Sequence, residues 1–365
     1  MRILPALTVA LVSAVAAAAA SHVPDALDRA AAQATTAYVQ APCHVGLSVV
    51  ARAGARTRYY DAGSISREHA QRPTPNSVYE LASLTKTFTG ALAARAVQDG
   101  RMALDTDFRA YLAEAYPNLA GISLRMLATH TSGLPRDLPD SDALLAHPDY
   151  EHIGEQLTAL NRGFDRTRTL QALHEVQLRS PPGARQAYSN LGIRVIGYGL
   201  EQAQQMSYAR LLATQITTPL AMHETVLLPT PAMRARRVTP YNRYGHRQPF
   251  HDDSAGAAYG LYSTPRDMAQ YLAWQLDESD PVVARAHQPI RGNQEEGEGM
   301  IWHLGRDHGT RMLWHGGGGF GTTSQMVLYP DLQQGFVLLS NDACEGSEEQ
   351  LRQMARSLHQ ATVAH

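Results

Sequence analysis

Apolar and polar positions follow two different rhythms along this chain. DALDRAAAQATTAYVQ reads as a helix from Asp25 to about Gln40. HVGLSVVARAG and RTRYYDAGSIS predict a strand pair joined by a turn at Gly54. From Ser83 to about Leu276 the spacing is mostly helical, in segments such as TFTGALAARAVQDG, closed by Gly100, and DFRAYLAEAY, closed near Pro117. The stretch from Pro135 to Phe164 and the Pro/Arg/His-rich residues 229–253 read as loops over a site or surface. MIWHLG, RMLWHGG, TTSQMVLYP and GFVLLSND then return as short strand-like runs, before a final helix, SEEQLRQMARSLHQA. EEGEG, 295–299, reads as a solvated loop.

Sheet-forming segments thus sit at both ends with helices between them, which predicts an α/β (α+β) architecture. Residues 21–77 and 296–365 would form one sheet domain, and residues 78–295 a helical domain inserted into it, carrying the loops over the site. Residues 1–20, MRILPALTVALVSAVAAAAA, have a positive start at Arg2, an apolar run and small residues before Ser21. That is the pattern of a cleavable secretory signal and predicts a periplasmic or secreted protein. No later segment is apolar enough to span a bilayer, so no integral membrane segment is expected in the mature chain. A net charge of −2 over 365 residues offers no basic excess for nucleic acid. Two cysteines, Cys43 and Cys344, are too few and too far apart for a zinc site, and their spacing alone leaves a bridge and two free thiols equally open. None of the 16 histidines falls in H-E-x-x-H, so neither metal nor cofactor is expected.

Composition changes the picture at one point. The 32 basic residues include a single lysine, Lys86. Arginine stays charged, whereas a desolvated lysine can lose its proton and act as a base. It lies in YELASLTKTFTG, three residues after Ser83, at the expected start of a helix. That offset puts amine and hydroxyl on one helical face, as a serine nucleophile and its proton acceptor require. Tyr188-Ser189-Asn190 opens another predicted helix: Tyr188 could relay a proton, and Asn190 could hold a substrate amide or orient Lys86. The plainer reading is a helix cap from Ser189 or Asn190 with a packed tyrosine. LWHGGGGFGTTSQ, 313–325, fits G-x-G-x-x-G, but it leads into a strand-like run near the C-terminus and not into a helix. It also fits a lipase H-G-G-G loop, but the only near nucleophile elbow, DDSAG at Ser254, lacks its first glycine and precedes it.

Ser83-x-x-Lys86, Tyr188-x-Asn190 and His315-Gly316-Gly317 stand in the order and broad spacing of the three motifs of penicillin-recognising serine hydrolases, which this chain resembles. The Y-x-N form, LATHTSGLP (127–135) and GLYSTPRDMAQYL (260–272) are similar to the class C β-lactamase branch. LASLTK, LATHTSGLPR and AYSNL resemble its D-alanyl-D-alanine carboxypeptidase/endopeptidase relatives in particular. The resemblance implies a β-lactamase/penicillin-binding transpeptidase-like fold with an antiparallel sheet. It also implies that Ser83 is the nucleophile, Lys86 the main proton acceptor and Tyr188 the group that shares in proton transfer to the leaving group. Asn190, His315 and Gly317 would contact substrate, and the N–H groups of Ser83 and Gly318 would form the oxyanion hole. Because the family's first strand lies antiparallel beside its last, a Cys43–Cys344 disulfide is implied as well.

The chain departs from the family where His-Gly-Gly replaces Lys-Thr-Gly, and there a side chain that titrates near neutrality is expected in place of a fixed charge. No counterpart of the class A deacylation glutamate is found, since Glu224 sits in an ordinary structural stretch, PLAMHET. The expected function is an exported serine hydrolase acting through an acyl-enzyme on D-alanyl peptides of peptidoglycan or on β-lactams. The alternatives are a family esterase and a non-catalytic, penicillin-acylated sensor or binding protein.

Overall fold

The apolar runs near the two ends of the chain pair with each other. In a computed structural model, which describes residues 25–250 and 256–363, they build an eight-stranded sheet. Its strands are β1 (Gly46–Ala53), β2 (Arg56–Gly63), β3 (Arg291–Gly292), β4 (Gly297–Glu298), β5 (His303–Asp307), β6 (Thr310–Gly318), β7 (Thr323–Tyr329) and β8 (Gln334–Ser340). The order across the sheet is β2-β1-β8-β7-β6-β5-β4-β3, with every neighbouring pair antiparallel. The leader expected over residues 1–20 and Ser254 lie outside the described residues.

Five helices position the site: α1 (Ala26–Gln40), α2 (Thr85–Gln98), α3 (Asn190–Gln204), α4 (Pro265–Gln275) and α5 (Ser347–Val363). Leu27 and Ala31 of α1 and Leu351, Ala355 and Leu358 of α5 pack on one face of the sheet, against Leu47, Val49, Phe336 and Leu338. On the other face Val50, Met326, Val337 and Leu339 join the larger core with α2, α3 and α4. Strands β1, β7 and β8 are therefore covered on both faces, which is why they read as nearly unbroken apolar runs. Helix α2 is buried from Thr85 to Ala94, and its small side chains let the surrounding chain come close. A Cβ on Gly90 would lie 2.6 Å from the Met300 carbonyl oxygen. Among the described residues, no helix is long and apolar enough to cross a membrane.

Four local expectations are corrected. DFRAYLAEAY forms only a 3-10 turn, Phe108–Tyr111. Of its side chains only Phe108 and Tyr116 are buried, leaving no continuous apolar face to hold a longer helix. The expected loop 135–164 contains helices Asp142–Ala146 and Ile153–Asn161, and residues 229–253 contain a short helix, Pro231–Arg234, and a strand, Tyr241–Asn242. EEGEG is not simply a solvated loop, because Gly297–Glu298 is strand β4. Glu298 is buried there, where it accepts from Arg291 Nη1 at 3.2 Å and from Gln186.

Cys43 lies just before β1 and Cys344 just after β8, and the antiparallel register sets Leu47 opposite Ser340. The two cysteines are consequently neighbours, with Cα atoms 6.0 Å apart, and form a disulfide. Beside it the fully buried Asp342 accepts from Tyr38 Oη (3.0 Å) and the Val45 N–H (2.9 Å), and it pairs with His44 Nδ1 (2.9 Å). Replacing both cysteines with serine is expected to lower the unfolding free energy by about 2–4 kcal/mol. The measurement is a fall in denaturant midpoint for the double variant, together with the absence of free thiol in the unreduced parent protein.

Candidate active site

Ser83 occupies a 3-10 turn, Ala82–Leu84, that runs directly into α2. Ala82 before it takes a φ of 46°, a left-handed conformation costly for a residue with a Cβ. Lys86, in the first turn of α2, falls on the same face as Ser83. Its Nζ lies 2.9 Å from Ser83 Oγ and donates to the Ala258 carbonyl oxygen at 2.8 Å. Tyr188 Oη is 2.6 Å from Ser83 Oγ on another side. The structure thus brings the three residues expected to carry the chemistry into one hydrogen-bonded group.

Its electrostatics assign different tasks to the amine and the phenol. Lys86 is fully buried, and loss of hydration pulls its pKa down to about 7, with Asp137 and Glu348 opposing the shift and Arg136 adding to it. A large fraction of the amine is neutral at pH 7 and can accept the serine proton. Tyr188 is pushed the other way: desolvation holds its pKa well above the usual phenol range, although the Ser83 contact and Arg136 lower it. It is therefore a protonated phenol, poised to donate. The Arg136 guanidinium stands 5.0 Å from the centre of the Tyr188 ring.

The segment that presents Tyr188 hangs on a residue that sequence reasoning did not assign. His130 accepts the Ala187 N–H at its carbonyl (2.7 Å) and the Ser189 N–H at Nδ1 (3.2 Å), so both neighbours of Tyr188 are tied to it. Its ring lies 4.6 Å from the Tyr188 ring, and burial, reinforced by Lys86, lowers its pKa to about 3. Ser189 caps α3, accepting the Gly192 N–H at 2.9 Å and donating to the Pro135 carbonyl at 2.7 Å. Asn190 does not hydrogen-bond Lys86. Its Nδ2 donates to Asp137 Oδ2 at 3.1 Å, and its buried Oδ1, without a partner among the described residues, borders the cleft. Glu224 is bound to Arg236, a structural pair.

The glycine-rich stretch is the end of β6. β5 pairs with β6 only through Thr310–Trp314, whereas β7 continues alongside it to Gly318, so residues 315–318 have strand partners on one side only. Gly317 passes tightly against the turn that carries Ser83. A Cβ there would lie 2.7 Å from the Leu81 carbonyl oxygen, 2.8 Å from the Leu84 nitrogen and 2.6 Å from Ser324 Oγ. His315 is buried, and its Nδ1 lies 2.7 Å from the Gly316 carbonyl oxygen, which makes Nδ1 the protonated nitrogen. Burial, with His303 and Lys86 nearby, holds its pKa well below the usual imidazole value. The expectation that it titrates near neutrality is thus corrected: the ring is neutral because the site withholds water from it.

Two cavities of about 470 and 480 Å³ meet at Ser83, both lined by Ser83, Arg136, Gly318 and Glu348. Asn190 and the helix 153–161 border the first, Tyr188, His130 and His315 the second. Glu348 and the Ala258 carbonyl escaped sequence reasoning. His130 and Arg136 were inside a quoted family-like stretch, LATHTSGLPR, but without a role.

The profile of the Beta-lactamase family matches residues 31–361. The chain belongs to this family. Among curated Beta-lactamase relatives, the D-alanyl-D-alanine-carboxypeptidase/endopeptidase AmpH of Escherichia coli K12 is 29% identical over 253 residues, 67% of this chain and 60% of that one. A protein named Beta-lactamase from Lysobacter lactamgenus is 26% identical over 286 residues, 74% of this chain and 67% of its own. The fold is that of class C β-lactamases. A solved class C enzyme superposes with a TM-score of 0.76 at 19% identity, over 92% of this chain and 96% of that one. A β-lactamase/D-alanine carboxypeptidase from Pseudomonas syringae superposes at 0.75 and 18% identity, over 92% and 99%.

Two outcomes follow for this Beta-lactamase-family site. Gly317→Ala is expected to displace the Ser83 turn and cut acylation at least about 10²-fold, because a misplaced nucleophile loses its aligned geometry; the acylation rate, with circular dichroism to confirm folding, measures this. The His130 and His315 ring signals in nuclear magnetic resonance should show no titration between about pH 5.5 and 8, since a free imidazole titrates near 6.5.

Proposed function

We propose that the protein is an exported serine hydrolase that forms an acyl-enzyme with D-alanyl peptides of peptidoglycan or with β-lactams. The observation that carries this reading is the buried Lys86 amine, with a pKa near 7, 2.9 Å from a serine oxygen that also meets a protonated Tyr188 at 2.6 Å. The membership in the Beta-lactamase family and the AmpH likeness support the choice of substrate class. The signal pattern of residues 1–20 and the Cys43–Cys344 disulfide support export.

In acylation neutral Lys86 takes the Ser83 proton as Oγ attacks the carbonyl carbon. The negative charge on the substrate oxygen is met by the N–H groups of Ser83 and Gly318. Tyr188 gives its proton to the departing nitrogen and is reprotonated from Lys86, so the proton lost by serine ends on the leaving group. In deacylation a water attacks the acyl carbon as neutral Lys86 takes its proton; the bond from that carbon to Ser83 Oγ then breaks, and the proton passes from Lys86 to Oγ, directly or by relay through Tyr188, which frees the acid product. The partnerless Asn190 Oδ1 accepts a substrate N–H, and the one-sided edge of β6 at His315–Gly318 pairs with substrate backbone. His315 takes part as a neutral ring, with Nε2 as an acceptor. The sheet side, through Gly318 and Glu348, and the inserted helical side, through Tyr188 and Asn190, line the cleft, and the sheet itself reaches back to Arg291, across the expected boundary at 296.

The test is turnover of a D-Ala-D-Ala peptide, nitrocefin and a p-nitrophenyl ester, side by side, with fluorescent penicillin as the label. Ser83→Ala should abolish both label and turnover; turnover that survives it would refute the mechanism. Lys86→Arg should reduce kcat/KM by about 10³-fold or more, because a guanidinium stays protonated. For the parent protein kcat/KM should rise with pH through an apparent pKa near 7, since raising pH removes the lysine proton and creates the base. A flat profile from pH 5.5 to 8.5 would remove Lys86 from that role.

A further inference from the structure

The glycines at 316 and 318 do more than open the strand edge, because their missing side chains are replaced by a carboxylate. A Cβ on Gly318 would lie 2.5 Å from Glu348 Oε1, and one on Gly316 would lie 3.0 Å from Oε2. Glu348 belongs to the first turn of α5, and a glutamate there would ordinarily be accounted for by the helix dipole. This one, however, reaches across β6 into the cleft, where it lines both cavities that meet at Ser83. It makes no hydrogen bond or ion pair with any described residue.

The cations around it are otherwise engaged. Arg352, one turn along α5, is bound to Glu349 and stands 5.6 Å from the centre of the Trp314 ring. Arg136 lies against the Tyr188 ring and is 3.8 Å from Asp137, and Lys86 is hydrogen-bonded to Ser83 and Ala258. The cleft walls raise the Glu348 pKa by desolvating its carboxyl end, while Lys86, Arg352 and Arg136 pull it down, and the side chain as a whole stays exposed to solvent. A carboxylate without a partner that reaches into the cleft beside Ser83 gains charge-assisted hydrogen bonds from a cationic ligand that brings its own N–H donors.

We infer that Glu348 is a specificity residue that recognises a protonated amine on the substrate, so that the cleft selects D-alanyl substrates carrying a free amino group near the scissile bond. This rests on the acyl-transfer reading above for the substrate's D-alanyl part. It also bears on the glycine run: a side chain at Gly318 would occupy the space of the carboxylate, whereas one at Gly316 would meet Gln325 Oε1 first, at 2.6 Å, and the carboxylate next. Glu348 acts on binding and takes no part in the proton transfers of Ser83, Lys86 and Tyr188.

The experiment measures binding apart from turnover. Ser83→Ala protein is titrated calorimetrically with two peptide pairs, Lys-D-Ala-D-Ala and D-Ala-D-Lys, each N-terminally blocked, with the lysyl side-chain amine free or acetylated. Acetylation removes the charge and leaves the chain length nearly the same. In at least one pair the free amine should bind about tenfold more tightly, and adding Glu348→Gln should bring that ratio near one. Glu348→Lys should invert the preference. Glu345→Gln, which removes the same charge outside the cleft lining, should leave the ratio as it was. Equal binding of free and acetylated peptides in both pairs, a preference that survives Glu348→Gln, or the same loss in Glu345→Gln would each overturn the inference. Release of D-alanine by the parent protein is assayed separately. Its absence would refute the catalytic reading while the binding ratios still decide the role of Glu348.

Discussion

An amine removed from water is the constraint on which the rest of this structure depends. Lys86 can be kept neutral near pH 7 only while its surroundings deny it hydration and offer no carboxylate in contact. Helix α2 meets that demand by being buried on every side through its first ten residues. The Ala258 carbonyl gives the amine one fixed acceptor and so points it, while Ser83 takes the other direction. The anions that influence it, Asp137 and Glu348, act at a distance and temper the shift without pairing with the amine.

The same exclusion of water explains the company the lysine keeps. His130, His315 and the partly buried His303 all have lowered pKa values, with burial as the leading cause in each. Any of them protonated would set a second positive charge near the amine and depress it further. Neutral rings that accept or donate single hydrogen bonds serve as packing and as braces, His130 for the Tyr188 segment and His315 along β6.

What the sequence disclosed follows the same physics. The offset of Ser83 and Lys86 is a local quantity, fixed by helix geometry, and it was readable before any fold was known. So were the doubly covered strands, whose apolar runs need no partner to be recognised, and the two-ended sheet. The disulfide needed the neighbour relation of β1 and β8, which only family likeness offered. The helices at 142–146 and 153–161 were hidden by proline, aspartate and histidine around them. Strand β4 was hidden because the charge of Glu298 is satisfied by Arg291, which only the folded chain brings near. Glu348 carries no local mark at all, since its significance lies in two absent side chains on a strand thirty or so residues upstream. His315 shows the opposite failure: the residue was visible, but its charge state is a property of burial and not of residue type.

The order of strands also has a temporal side. β1 has β2 as one partner immediately, but its other edge is reserved for β8, which begins at Gln334. During synthesis the chain therefore carries an unfilled sheet edge from the time β1 emerges until β8 follows it. Such long-range pairing makes folding slow and leaves an aggregation-prone surface exposed meanwhile. A polypeptide built this way can neither close its central sheet nor bring Cys43 to Cys344 until β8 and the residues just after it have emerged.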